Sequence, residues 1–339
     1  MGRTSFHETK KKSPGAFQPR ELLNIHKAFM PDVFHYEIYD QHIHSEIPIR
    51  SLTPLTVGPE DKSAEAADIC IVLGKTPASL RREPVHQNVC TSMGQNEFLF
   101  FHEKLGVRFY VENGNKITVD QDYYSNPDTV SVYLLGSILS AALYMQGTIP
   151  MHASSVMTDH GAVLFTGASG SGKSTLAHGL QRRGYTPITD DVAPIRILDG
   201  HPHVLPGYPN FKLWEESLKF YDVEDHSHPR VRDSLQKYYV PCELPFCKDA
   251  CKIHKIYHLV SHNEGTLLSL ERTDKEERFL VLKKNVFRPN YVKGLKKEME
   301  HLLTVARLAH LPLTTIKRPH SLGGSIEDYL DTVEKDMLG

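Results

Sequence analysis

GAVLFTGASGSGKSTLAHGLQRRG, residues 161–184, is the stretch on which the fold turns. Its first part, Gly161 to Thr166, is a short apolar run suited to one buried strand. Ser174 to Arg183 has helical composition, and Gly184 stands where a left-handed residue would end that helix. Between them, Gly167-Ala168-Ser169-Gly170-Ser171-Gly172-Lys173-Ser174 fits G-x-x-x-x-G-K-[ST] at every fixed position. Glycines let the backbone curl with its N–H groups pointing inward, at dihedrals that bulkier residues resist. The helix that follows adds free N–H groups and the positive end of its dipole. The loop from Gly167 to Thr175 therefore reads as a cradle for the phosphates of ATP. Lys173 would reach the β and γ phosphates, and the Ser174 hydroxyl would take one position around Mg²⁺. Average composition produces this pattern by chance in about one such chain in a hundred.

The next strand-like segment, Pro187 to Asp191, ends in Thr189-Asp190-Asp191-Val192, close behind the loop in sequence. Neighbouring residues on a strand point to opposite sides, so the two carboxylates should have different tasks. One could help hold Mg²⁺ while the other takes a proton from an acceptor hydroxyl.

At this point HAS (152–154), GASGSGKST (167–175) and ITDD (188–191) together resemble the HPr kinase/phosphorylase family. The catalytic domain of that family is related to the nucleotide core of phosphoenolpyruvate carboxykinase, and it phosphorylates a serine hydroxyl on a protein. The resemblance covers about 150–215. It implies Asp190 as the acid/base at the acceptor serine, Asp191 near the metal and phosphates, and His152 beside the transferring phosphoryl group. Two features depart from the family. Thr175 stands where Glu is usual, and no counterpart of the separate regulatory domain is recognisable. The 34–150 region is similar instead to HPr-kinase-like proteins of peptide biosynthetic clusters. Among these are the lasso-peptide kinases, which phosphorylate the C-terminal serine of a precursor. The family's oligomers imply that this chain could also self-associate.

Phosphoryl transfer needs positive charge at the equatorial oxygens. Lys212, in GYPNFKLW, and Arg288, in VFRPNY, are candidates, with a surface position as the alternative for each. Trp214 reads as packing rather than a base-stacking platform. Cys242, Cys247, Cys251 and His254 form C-x4-C-x3-C-x2-H, which carries zinc-ligand chemistry without the spacing of a familiar zinc module.

Composition is that of an ordinary globular chain: 339 residues, 40% hydrophobic, 24% charged, formal net charge -2. Nothing in it points to nucleic acid or to a membrane. The longest apolar stretch, Val132 to Gln146, falls short of a bilayer span and reads as a buried helix at about 129–146. Five Cys without a secretory leader suit a reducing cytoplasm.

Residues 1–20 read as a disordered basic tail, 21–128 as a β-rich N-terminal domain with a polar loop at 58–67, and 129–339 as a kinase domain. Asn113-Gly114 predicts a hairpin, as does Asp199-Gly200. Strands are expected at 256–260, 266–272 and 279–283. Two amphipathic helices should follow. The first would use Leu295, Met299, Leu302, Leu303 and Ala306 as its apolar face. The second would use Ile326, Leu330, Val333 and Met337 behind a Ser325/Asp328 capping box. The fold class is α/β with a mixed sheet carrying the loop. The expected activity is an ATP- and Mg-dependent serine kinase acting on a peptide or protein. A small-metabolite kinase on the same scaffold, or a nucleotide-binding regulatory module with little turnover, are the alternatives.

Overall fold

The computed structural model describes residues 33–52, 67–124, 126–221, 228–231, 235–242, 245–262, 268–319 and 325–338. Phe34–Gly339 forms one compact unit. The tail expected at 1–20, and the loop expected at 58–67 apart from Ala67, lie outside the described residues.

The first sheet contains β1 (Phe34–Ile38), β2 (Gln41–Ser45), β3 (Ile69–Gly74), β4 (His86–Gln87), β5 (Thr91–Gly94), β6 (Glu97–His102), β7 (Val107–Glu112) and β8 (Lys116–Asp120). Their order is β1-β2-β3-β8-β7-β6-β5-β4. Only β3 runs parallel to its neighbours, β2 and β8. Asn113 and Gly114 turn the β7–β8 hairpin with φ of 55° and 74°, the left-handed region that this dipeptide tolerates. A second tight turn, Tyr39-Asp40, splits what reads in the sequence as one alternating run; both residues have positive φ without any glycine. Tertiary contacts hold it there. The Tyr39 N–H donates to Pro206 O at 2.7 Å, and Asp40 pairs with Arg196 at 2.6 Å.

The helix Pro127–Met145 follows. It is long and apolar enough to cross a membrane, but 83% of its apolar window is buried inside the protein, so it serves as a core helix. Its middle, Leu134–Ile138, is a single π-helical turn. One hydrophobic cluster joins this helix to the first sheet and continues into the strands beyond residue 149.

The second sheet contains β9 (Ile149–Met151), β10 (Ala153–Thr158), β11 (Gly161–Gly167), β12 (Pro187–Thr189), β13 (Ala193–Leu198) and β14 (His201–Val204). A separate two-stranded ribbon, β15 (Asn210–Trp214) with β16 (Lys237–Pro241), comes next in the chain. The second sheet is then completed by β17 (Cys251–His262), β18 (Ser269–Arg272) and β19 (Leu313–Pro319). β17 is twelve residues long and reaches two sets of neighbours. Its first residues pair with β14, and the rest runs parallel to β11 on one side and β19 on the other. β11, antiparallel to β10 and parallel to β17, is buried along nearly its whole length, and it delivers the chain at Gly167 into the loop. The sheets are mixed and the class is α/β, as expected from sequence.

Two local expectations fail. Residues 279–283 lie in a helix, Lys275–Lys284, not a strand. The run Phe279-Leu280-Val281-Leu282 suggested a strand, but Asp274 caps the helix by accepting the Glu277 N–H at 2.9 Å. Glu276 and Glu277 in the first turn and Lys283 and Lys284 in the last also complement the dipole. In the helix Glu298–Ala309 the buried face is His301, Thr304, Val305 and Leu308, whereas Met299, Leu302 and Leu303 are exposed. The less apolar stripe faces inward because that side packs on the helix 275–284 and on β9, β13 and β14. The last helix, Ile326–Leu338, buries Leu330, Val333 and Met337, and its capping box forms with bonds of 3.1 and 3.2 Å.

Candidate active site

The loop after β11 closes on itself before the helix Lys173–Arg182 begins. Gly167, Gly170 and Gly172 have φ of 149°, 81° and 94°. A Cβ on Gly172 would stand 2.9 Å from Arg318 Nη2. No side chain caps this helix, so its first N–H groups face the cleft without a side-chain acceptor. Lys173 is buried, and its Nζ donates to the carbonyl oxygens of Gly167 and Ala168, both at 2.9 Å. Burial lowers its pKa to about 8. The Ser171 hydroxyl is buried without a hydrogen-bond partner. Ser169, Gly170, Gly172, Lys173, Ser174 and Thr175 all line the cleft. Thr175 is partly committed elsewhere, its hydroxyl lying 2.7 Å from Ser217 Oγ.

The acidic pair lies just past β12. The Val192 N–H donates to Asp190 O at 2.8 Å across Asp191, whose φ is 69°. That three-residue turn puts a non-glycine residue in a sparsely populated region, as happens where surroundings impose a geometry on a site. The turn sends the two carboxylates in different directions. Asp190 is buried away from the cleft lining; Oδ1 accepts from Ser154 Oγ at 2.6 Å and Oδ2 from the Lys212 N–H at 2.8 Å. Asp191 lines the cleft and pairs with Lys212 Nζ at 2.8 Å. Burial pushes the Asp191 carboxyl up, but Lys212, Lys237 and His152 outweigh it and hold it far below the usual carboxylate range. Lys212 correspondingly keeps its proton, since Asp191 outweighs the burial that would remove it.

His152 lies between β9 and β10 and lines the same cleft. Its Nδ1 is 3.0 Å from Asp191 O and 3.6 Å from Asp191 Oδ1. A carbonyl oxygen only accepts, so this contact assigns the proton to Nδ1 and leaves Nε2 with a lone pair. Burial first, then the charge of Lys173, lowers the His152 pKa, so the ring is neutral at pH 7.

Two residues at or beside the cleft carry no signal in the local sequence. Lys237, on β16, lines the cleft with its Nζ 5.7 Å from the Trp214 ring centroid. Arg318, on β19, donates from Nε to Ser171 O at 3.0 Å. Trp214 sits exposed at the rim, at the edge rather than in the core; it lines both this cleft and an adjoining hollow with Phe220, Arg318 and Tyr329.

Two sequence candidates fall elsewhere. Arg288 lines a different cavity with Asn88, Thr91 and Tyr291, and its φ of 56° puts it in a turn ahead of Pro289 rather than in extended chain. The four candidate zinc ligands do not converge. Cys247 and Cys251 approach with sulfurs 3.0 Å apart, while the His254 ring lies beside that of His160, tilted, at 5.5 Å between centroids. Among the described residues no group of three or more His, Cys, Asp or Glu could hold a metal.

No known family profile matches the chain, and no curated protein matches it in sequence. Among solved structures it is similar to the HPr(Ser) kinase/phosphatase from Coxiella burnetii, with a TM-score of 0.31 and 13% identity. That similarity covers 56% of this chain and 89% of the other. Likeness at this level assigns no activity.

Proposed function

We propose that this chain transfers the γ-phosphoryl group of ATP to a serine hydroxyl of a peptide or protein. The observation that carries the reading is the meeting of Lys173, Asp191, His152 and Lys212 at the uncapped N-terminus of one helix, beside a glycine loop. The residues fit a nucleotide: the buried Ser171 hydroxyl without a partner and the two carbonyl-bound protons of Lys173 are groups that phosphate oxygens would satisfy. They also fit Mg²⁺, which needs few protein ligands because it keeps waters and phosphate oxygens. Ser174 and Asp191 would hold the ion, which when bound neutralises charge developing on the transferring group.

In this reading the acid and base assignments shift from those implied by the resemblance. Asp190 has both oxygens occupied and acts as a positioning residue for Lys212 and β10. His152 Nε2 takes the acceptor proton as the acceptor oxygen bonds to the γ-phosphorus and the bond to the leaving ADP oxygen breaks. A neutral imidazole is a better base near pH 7 than a carboxylate held in the ion pair with Lys212. Lys173 and Lys237 offset charge on the phosphates. The nucleotide's base would lie in the adjoining hollow beside Trp214 and Phe220. The sequence resemblance narrows the acceptor further, to the C-terminal serine of a lasso-peptide precursor.

Mass spectrometry after incubation with ATP and Mg²⁺ tests this. The acceptors are a precursor peptide ending in serine, its serine-to-alanine version, and HPr. One added phosphate on the serine peptide, lost in Lys173→Ala, is the expected result. Phosphate on HPr alone would keep the kinase and remove the precursor. No transfer to any of them, with ATP still bound, would refute the peptide-kinase reading and favour a metabolite kinase or a nucleotide-binding module.

A further inference from the structure

The cavity beside Arg288 has a volume of about 380 Å³, within the range of small-ligand pockets, and shares no lining residue with the phosphate cleft. Its floor is apolar and aromatic. Phe100 and Tyr133 meet at 5.0 Å between ring centroids, and Tyr291 lines the cavity with them. Ser137 reaches the wall from the π-helical turn, a distortion that recurs at functional sites.

Two of the polar residues on the lining, which also includes Asn88, His102, Ser137 and Asn290, carry the inference. Thr91 is only 7% exposed, lines the cavity, and has a buried hydroxyl without a hydrogen-bond partner. Such a group is costly to bury and is ordinarily satisfied. Arg288 stands exposed on the lining; its guanidinium lies over the Phe287 ring at 5.3 Å and pairs with no carboxylate among the described residues. An aromatic floor, a buried hydroxyl and an unpaired guanidinium together fit a molecule with an apolar body and one carboxylate.

We infer that this cavity is a binding site for a small carboxylate carrying an aromatic or branched aliphatic body. The inference stands apart from the phosphoryl-transfer reading, since it needs neither nucleotide nor the cleft.

Isothermal titration calorimetry of the full chain tests it with 3-phenylpropionate and 4-methylpentanoate, each against its neutral amide. The acids should bind at least about 10-fold more tightly than the amides, because a charge-assisted contact to Arg288 is lost in the amide. Arg288→Ala should abolish that preference. Thr91→Val should weaken binding of the acids while leaving the melting temperature unchanged or raised, because it removes a hydroxyl unpaired in the free protein. Lys173→Ala and added ATP should leave binding as it was. No binding by any of the four compounds at millimolar concentration would overturn the inference. So would equal binding of acid and amide, an Arg288→Ala variant that keeps the preference, or competition with ATP.

Discussion

Replacing Lys212 with Met leaves Asp191 without its closest counter-charge in a largely buried position. At 2.8 Å and an effective dielectric near 20, the pair's gross attraction is about 6 kcal/mol. Desolvation offsets much of that in the intact pair. The variant, however, keeps the desolvation of Asp191 and loses the attraction, so it should be destabilised by about 3–5 kcal/mol at pH 7. The sign with pH follows from the depressed Asp191 pKa. Its stabilisation is fully present above the ordinary carboxylate value of 3.8 and is lost as pH falls through the folded-state value. The deficit of Lys212→Met should therefore be largest near neutrality and shrink as Asp191 protonates in acid. Urea unfolding at several pH values measures this. Lys212→Met/Asp191→Leu should recover about 2 kcal/mol or more of the loss, because it also removes the buried carboxylate left without a partner. A single variant that loses under about 1 kcal/mol, or a double variant no more stable than it, would refute the view that the ion pair governs this corner of the cleft.

Further outcomes follow from other residues. Burial lowers the His178 pKa to about 4 from 6.5, so the unfolded chain takes up its proton first as pH falls. About 3 kcal/mol of stability, complete above pH 6.5, should then disappear between pH 6.5 and 4. His178→Leu should flatten that part of the stability–pH curve, and an unchanged slope would count against it. With Lys173 titrating at about 8, ATP affinity in calorimetry should weaken above that pH, whereas a flat profile to pH 9.5 would exclude a protonated Lys173 as the phosphate contact. Gly172→Ala forces a Cβ onto a φ of 94° and against Arg318, and should cost about 1–3 kcal/mol along with nucleotide binding. Asp190→Asn keeps the acceptor for one of its two donors, so it should lower turnover less than Asp191→Asn; the reverse order in steady-state assays would restore Asp190 as the proton acceptor.

The strand, loop and helix of 161–184 were legible because every requirement is local: an apolar run, glycines at positive φ, and a glycine after the last turn. The same holds for the hairpins at Asn113-Gly114 and Asp199-Gly200 and for the capping box at Ser325. The Tyr39-Asp40 turn was not legible, because a contact to Pro206 and an ion pair to Arg196 take the place of a turn residue. The faces of the helix 298–309 were misassigned for a related reason. Periodicity offered a more apolar stripe than the one the neighbouring strands came to cover.

By itself the sequence determined the glycine loop, Lys173 and the acidic pair, since the chemistry of cradling an anion is written in consecutive residues. Only the tertiary structure decided which Asp faces the cleft, because the turn at Asp191 and the bonds from Ser154 and the Lys212 N–H settle it. It alone brought Lys237 from the β15–β16 ribbon into the cleft and Arg318, from the strand beyond β17, against the loop. Arg318 lies 147 residues from the Ser171 carbonyl it holds. No local pattern records such a contact; it exists because β17 runs parallel to both β11 and β19 and carries their ends to the same edge.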